Sequence, residues 1–406
     1  MAGMYNRPTM LRKLKNAVHL AQARWANFRS GNPSSKLTVI GVTGTDGKTT
    51  TSSLIHHILT TAGVKTGISS TLLSPHTTTP GRGAVHRFLA QCLKNSCTHA
   101  IIEVTSIGID QNRVAAIKFD IGVLTNIAQN EHLDYHGTFE KYRDTKINWL
   151  LSYKTIVTNA DDSSLSNLKS LLQRSAEPIS NRYVKNQKLI TYGIKTKADI
   201  IPKTLKYTTM LLGEFNTYNI LAAITVCREL EIPDETITQA IATFKAPEGR
   251  LEVVTTKPFT VIVDFAHTPQ AFEKVLPVAK SLLKSKKNKL IHVFGATGDR
   301  DQDKRPIMAA IASKYDDYIF LTTEDTYSEE PKNILESLEK GLKDSWYANY
   351  KVIPDRREAI RRALNFATKG DVVILTGVGH QKSINAAGRE IPWGEAKVVK
   401  ELLHAK

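Results

Sequence analysis

Cysteine is scarce in this chain of 406 residues. Cys92, Cys97 and Cys227 are too few and too poorly spaced for a zinc cluster or a disulfide framework, which fits a reducing cytoplasm. No apolar run approaches the roughly 20 residues needed to cross a bilayer. No signal peptide is legible either, because Leu11 to Phe28 is interrupted throughout by Arg, Lys, Asn and Gln. Biased tracts are missing too, and 41% hydrophobic with 23% charged residues is the composition of a folded globular protein. Acid is in short supply: 39 Asp and Glu against 55 Lys and Arg leave a net charge of +16. That balance suits a polyanionic partner. No zinc finger, RNP-like motif or compact basic block accompanies it, so the scattered cations read as a solvated surface serving anionic small molecules rather than nucleic acid.

What is present divides into three stretches. The length calls for two or three domains. Residues 8–30 read as one helix, with Leu11, Leu14, Val18, Ala21, Trp25 and Phe28 forming a narrow apolar stripe at spacings of three and four. Arg12, Lys13, Lys15, Arg24 and Arg29 flank it. The first reading is a helix docked on the protein's own body or on a second copy, in a monomer or weak homodimer. The alternative is a basic amphipathic helix on an anionic membrane. Gly31–Ser35 then breaks the helix.

From Lys36 short β-rich runs (Leu37–Val42, His99–Val104, Ile121–Leu124, Thr155–Val157) alternate with helical stretches such as Thr49–Thr61 and Phe139–Leu151. A second alternating set has strands near Thr260–Asp264, Lys289–Phe294, Tyr318–Thr322 and Val372–Thr376. Its helices fall near Gln270–Leu283, Pro306–Tyr315, Lys332–Leu342 and Arg356–Phe366. Alternation of this kind predicts an α/β protein with mainly parallel sheets covered by helices. The expected domains are 1–35, an N-terminal helix and linker; 36–247, a central P-loop ATPase domain; and 248–406, a Rossmann-like α/β domain, with Pro247–Gly249 as the hinge.

The first strand runs into Gly44-Thr45-Asp46-Gly47-Lys48-Thr49-Thr50 and then a helix. Glycines let backbone N–H groups curl around phosphate oxygens, and a helix N-terminus adds partial positive charge. Lys48 supplies a point charge for the β- and γ-phosphates, and the Thr49 hydroxyl can bind Mg²⁺. The strict P-loop asks for a glycine five residues before Gly47, where Val42 stands. The surviving Gly-x-x-Gly-Lys-Thr keeps the strand–loop–helix context.

Gly41–Thr51 resembles the ATP loop of the Mur ligase superfamily, which usually has Asn at the place of Asp46. Further matches follow in that family's order: Glu103–Ser106 with Asp110–Val114, Thr125-Asn126-Ile127, His132–Gly137, Lys146, Phe215–Asn219, Gly249–Glu252, Asp264–Pro269 and Gly298–Pro306. The resemblance covers roughly residues 36–406 and is closest to the MurE-type enzymes. Those enzymes add the third residue of the peptidoglycan stem peptide to a UDP-N-acetylmuramoyl dipeptide.

The resemblance implies an ATP-dependent ligase that activates a carboxylate as an acyl phosphate and joins it to an amino acid's amine, releasing ADP and phosphate. By that resemblance Thr49, Glu103 and His132 bind Mg²⁺, and Lys146, carbamylated by CO₂, organises a second Mg²⁺. The neighbours of Lys146 on an amphipathic helix are compatible with the burial that favours a neutral, CO₂-reactive amine. Asn219, Arg250 and Asp264 match nucleotide anchors, with hinge closure expected to exclude water from the acyl phosphate. His267 either contributes or stabilises its turn. Arg300 matches a position that grips the incoming amino acid's carboxylate. Thr78, Thr79, Ser106 and Arg113 resemble acceptor-binding positions, so the expected partners are a peptidyl or muropeptide carboxylate and an amino acid.

Two departures bear on substrate. MurE enzymes carry a uridine-binding domain before the ATP domain, and 35 residues are too few for one; the expected acceptor lacks UDP or is lipid-linked or released. Where diaminopimelate-adding relatives read Asp-Asn-Pro-Arg, this chain reads Glu324-Asp325-Thr326-Tyr327. Where they read Gly-Lys-Gly-His-Glu, it reads Gly377-Val-Gly-His-Gln381. Losing that arginine and that glutamate points to an incoming amine without a zwitterionic far end, and Glu324 and Asp325 suit a basic one or are merely surface acids. The alternatives are the Mur-type subunit of a lipid II amidotransferase, a folylpolyglutamate-synthase-like ligase, or a non-catalytic ATP-binding scaffold.

Overall fold

The structure, a computed structural model, describes residues 10–72, 77–81, 83–129, 133–174 and 187–404. His132 lies outside them, as do the side chains of Leu11, Arg12 and Lys13. The chain forms two compact units. The first runs through Met210 and resumes at Glu214–Phe244; the second takes Leu211–Gly213 and everything from Lys245.

In the first unit six parallel strands form one sheet, its central strands built from buried apolar runs. The six are β1 (Thr38–Thr43), β2 (Thr66–Ser69), β3 (His99–Glu103), β4 (Ile121–Leu124), β5 (Thr155–Asn159) and β6 (Lys188–Tyr192). Their spatial order is β2-β3-β1-β4-β5-β6. The second unit pairs β7 (Glu252–Thr255), β8 (Thr260–Val263), β9 (Leu290–Phe294), β10 (Tyr318–Leu321), β11 (Tyr350–Val352) and β12 (Val372–Leu375) in the order β11-β10-β9-β12-β8-β7. All are parallel except the edge strand β7, which runs antiparallel to β8. A hairpin of β13 (Ser383–Ala386) and β14 (Arg389–Pro392) stands apart. The α/β class and mainly parallel sheets are as expected. The strands the sequence did not show are short and mostly at sheet edges, β11 having only three residues. Periodicity needs a longer run than that.

The first sheet is packed by Leu89, Ile102, Phe119, Tyr142, Ile147, Trp149 and Leu150 among others. Phe119, Trp149 and Tyr153 meet edge to face, with centroids 4.9–5.2 Å apart. The second sheet is packed by Val261, Ile291, Val293, Phe320, Ile360 and Val373.

The N-terminal helix, Met10–Arg29, docks on the protein's own body, as the first reading has it, but by another face than its stripe. Its apolar stripe does not dock on the protein's own body: Leu14, Val18, Trp25 and Phe28 are 65%, 46%, 61% and 73% exposed. The opposite face packs instead. Ala23 is buried, the Asn16 side chain donates to the Asp110 carbonyl at 2.9 Å, and Asn112 donates to the Asn16 carbonyl at 3.2 Å. Hydrogen bonds and close small-residue contact, rather than apolar area, fasten this helix.

Candidate active site

Strands β1 and β3 lie side by side, with Val42 opposite Glu103. From them the chain departs to opposite flanks of the sheet, β1 toward β2 and β3 toward β4. A crevice of this kind, at the strands' carboxyl ends, is where open α/β sheets hold ligands. The loop after β1 opens the helix Lys48–Thr61, with Gly47 at its N-cap in left-handed backbone, φ 79°. A Cβ at Gly47 would stand 2.2 Å from Asn219 Oδ1, so both the backbone and the space require glycine.

The loop is pinned by a motif eighty residues on. Asn126 accepts from Thr45 N–H on its carbonyl and from Asp46 N–H on its side chain, both at 2.9 Å. The Thr125 hydroxyl donates to the Asp46 carbonyl at 2.6 Å. Lys48 Nζ folds back to the carbonyls of Gly44 and Thr45, at 2.9 and 2.8 Å. Its charge is thus held over the loop whose amides and helix N-terminus favour phosphate. Thr50 is buried behind it. Asn219 braces the start of the helix, accepting from the Thr51 hydroxyl at 3.3 Å and donating to Asn216 at 2.8 Å.

Glu103, fully buried, faces this loop. Its Oε2 accepts from the hydroxyls of Thr49 at 3.1 Å and Thr71 at 2.9 Å. Thr78 and Thr79 join the same cluster: the Thr71 and Thr78 hydroxyls lie 3.0 Å apart, and Thr79 donates to the Glu103 carbonyl at 3.0 Å. Arg113 Nη1 donates to the Thr79 carbonyl at 2.8 Å, while Nε and Nη2 clamp Gln111. Ser106 shares a 3.0 Å hydrogen bond with His136 Nε2.

Lys146 comes to the loop from the helix Phe139–Leu150, 1% exposed, its Nζ 2.7 Å from the Gly44 carbonyl. Burial, reinforced by the nearby Lys48 charge and opposed by Asp46, drives its amine well below the ordinary lysine range. Tyr142, one turn earlier, lies under Nζ with its ring centroid at 4.9 Å and meets the Thr45 hydroxyl at 2.8 Å. The first unit therefore gathers Lys48, Thr49, Glu103 and Lys146 around one loop. Sequence reading missed Thr71, Tyr142 and His136. Tyr142 was findable, since residues four apart on a helix share a face.

In the second unit Asp264 is engaged by backbone: Leu251 N–H and Ala266 N–H donate to its two oxygens, each at 2.7 Å. It fastens the turn at residues 249–252 to the end of β8. Arg250 lies over the Phe265 ring at 4.8 Å, its Nε buried without a partner. His267 Nδ1 contacts the Phe265 carbonyl at 2.8 Å, which is the turn-stabilising role. Within Gly298–Pro306, Arg305 is buried and grips Glu329 with two nitrogens at 2.7 Å, whereas Arg300 is exposed over the Tyr327 ring at 5.8 Å.

Glu324 and Asp325 are buried, which removes the surface-acid reading. Glu324 follows β10 and faces Gly377 beyond β12. There φ is 100°, and a Cβ would stand 1.9 Å from Glu324 Oε1. That Oε1 has no hydrogen-bond partner, and burial pushes the carboxyl up to about 7 against the pull of Arg356 and Lys304. Asp325 accepts from Gln381 Nε2 at 3.0 Å and from Asn385 N–H at 2.7 Å. Among the described residues no group of three or more His, Cys, Asp or Glu could hold a metal ion.

Residues 42–227 match the Mur ligase middle domain and residues 249–379 the Mur ligase glutamate ligase domain. The chain is 38% identical over 401 residues to the UDP-N-acetylmuramoyl-L-alanyl-D-glutamate–2,6-diaminopimelate ligase of Aquifex aeolicus, covering 92% of this chain and 79% of that one. The enzyme of the same name from Caldanaerobacter subterraneus is 37% identical, covering 94% and 81%. A solved structure of a ligase of that name superposes with a TM-score of 0.63 at 27% identity, covering 95% of this chain and 83% of the other. With the loop, the buried carboxylate and the buried lysine already converging at one crevice, these likenesses place the chain in the Mur ligase family, among its MurE-type members.

Proposed function

We propose that this ligase joins a basic amino acid to a peptidyl carboxylate of a peptidoglycan precursor, using ATP to make an acyl phosphate. The observation that carries the reading is the convergence on one loop of Lys48, Thr49, Glu103 and Lys146, spread over a hundred residues of sequence.

The Thr49 hydroxyl and Glu103 carboxylate are the hard oxygens that Mg²⁺ takes, with His132 a further ligand by resemblance. Bound there, Mg²⁺ neutralises phosphate charge. Lys146 fits the carbamate role because a buried, neutral amine is the form that adds CO₂, and its carbamate would hold a second Mg²⁺.

The acceptor carboxylate oxygen attacks the γ-phosphorus, the bond from that phosphorus to the β-bridging oxygen breaks, and ADP leaves with the electron pair. Lys48 and the amides of Gly44–Thr50 hold the oxygens on which charge accumulates. Thr78, Thr79, Ser106 and Arg113 position the acceptor. The neutral amine then attacks the acyl carbon, the carbon–oxygen bond to phosphate breaks, and the surplus proton passes to water. By resemblance Asn219, Arg250 and Asp264 serve the nucleotide, Asp264 through the backbone it braces.

Arg300 takes the amino acid's α-carboxylate. Its far end meets Glu324, Asp325 and Gln381, two carboxyls and an amide with Tyr327 in place of a cation, a set that suits a lone ammonium. Phosphate release should require an acceptor and an amine together, with lysine or ornithine exceeding 2,6-diaminopimelate at least tenfold in kcat/KM. A preference for diaminopimelate would reject the far-end assignment. Release with glutamine or ammonia as the only effective donor would make the chain an amidotransferase subunit.

A further inference from the structure

The exposed stripe of the N-terminal helix is built unlike the rest of the surface. On a helix of 3.6 residues per turn, Leu14, Val18, Ala21, Trp25 and Phe28 fall within an arc of about 80°. Trp25 and Phe28 stack toward one another, with centroids 6.3 Å apart. Lys15 and Arg29 border one side of the arc and Arg24 the other, all exposed. The first 45 residues hold seven Lys and Arg and no Asp or Glu.

We propose that the helix Met10–Arg29 lays this stripe on an anionic lipid surface. A helix seated in a bilayer interface buries its apolar arc at the acyl boundary and extends Lys and Arg on both flanks to lipid phosphates. That is the arrangement here, with an aromatic pair at one end. Pairing with a second copy would bring two acid-free basic helices together, so every flanking charge would meet its own kind. Because the opposite face is tied to Asp110 and Asn112, docking would orient the whole first unit rather than a loose tail.

The test is co-sedimentation of the full chain with phosphatidylglycerol–phosphatidylcholine vesicles and with phosphatidylcholine alone. Partitioning should be at least tenfold stronger with the anionic vesicles and should fall as salt rises. It should drop at least tenfold in Trp25→Glu/Phe28→Glu, and also in Lys15→Gln/Arg24→Gln/Arg29→Gln. Both variants change exposed side chains, so ligase turnover without vesicles should match wild type and show that they are folded. Equal binding to neutral vesicles, or none to either, overturns the proposal. So does a wild-type dimer in size exclusion that the Trp25→Glu/Phe28→Glu variant makes monomeric, or retention on polyglutamate by a chain that ignores vesicles.

Discussion

Lys146 is a residue whose chemistry depends on its surroundings. A lysine on water stays an ammonium; one that is 1% exposed and beside Lys48 is pushed toward the free amine. Lys146→Ala should lower turnover by about three orders of magnitude, and short-chain carboxylic acids should restore part of it by supplying the missing carboxylate. Wild-type-like phosphate release in that variant would remove the carbamate from the mechanism. Glu324 carries the opposite shift. Its carboxyl, raised from 4.5 to about 7, stays protonated in the folded protein over a range where the unfolded chain is ionised. Stability from this group is therefore full below about pH 4.5 and is lost as pH rises toward 7, by roughly 3 kcal/mol in all. Glu324→Gln should flatten that part of the stability profile between pH 5 and 8, measured by denaturant unfolding. An unchanged slope would mean the shift belongs to another group. Lys146 was visible in the sequence by its place in a motif. Its contact with the Gly44 carbonyl was not, because that comes from packing the helix against a loop a hundred residues away.

The loop–helix element Gly44–Thr61 shows how a local pattern and a distant side chain share one task. The glycines and the Lys-Thr pair were legible as a phosphate cradle. That Asn126 and Thr125 hold the loop's shape, and that Asn219 fills the space a Gly47 side chain would need, was not. Gly47→Ala should weaken ATP binding at least tenfold by calorimetric titration, with a stability loss of about 1–3 kcal/mol. Unaltered affinity would show that the loop does not hold the nucleotide in this form. The N-terminal helix teaches the converse: periodicity found the stripe and the element but left open what the stripe meets. Nothing along a single helix says which of its two faces the body will take, when Asn16 and Ala23 can dock as well as Trp25 and Phe28.

At the scale of the molecule, the proposed reaction divides its residues between the two units. The phosphate loop, Glu103 and Lys146 belong to the first; Arg300, Glu324, Asp325 and Gln381 belong to the second. Arg300→Ala should raise the KM for the amino acid at least tenfold while leaving that for ATP within about twofold, as expected when a bidentate contact to one substrate is lost. Thr49→Ala should show the reverse pattern, with the nucleotide side impaired and the amino acid KM little changed. Steady-state kinetics with each substrate varied in turn decides both, and an equal effect on both constants in either variant would show that the division of labour is wrong.

The chain's own pattern of residues was sufficient for the α/β class, the alternation into two sheets, the phosphate loop and the ligase family. Each of these is written locally, as periodicity or as a short run of special residue types. Only the folded arrangement brought Thr71 and Thr49 onto one carboxylate, pushed the Lys146 amine well below the ordinary lysine range, left Glu324 Oε1 buried without a partner, and turned the stripe of the first helix outward. Those outcomes depend on desolvation and on contacts between segments far apart in the chain, and neither quantity is a property of any one segment.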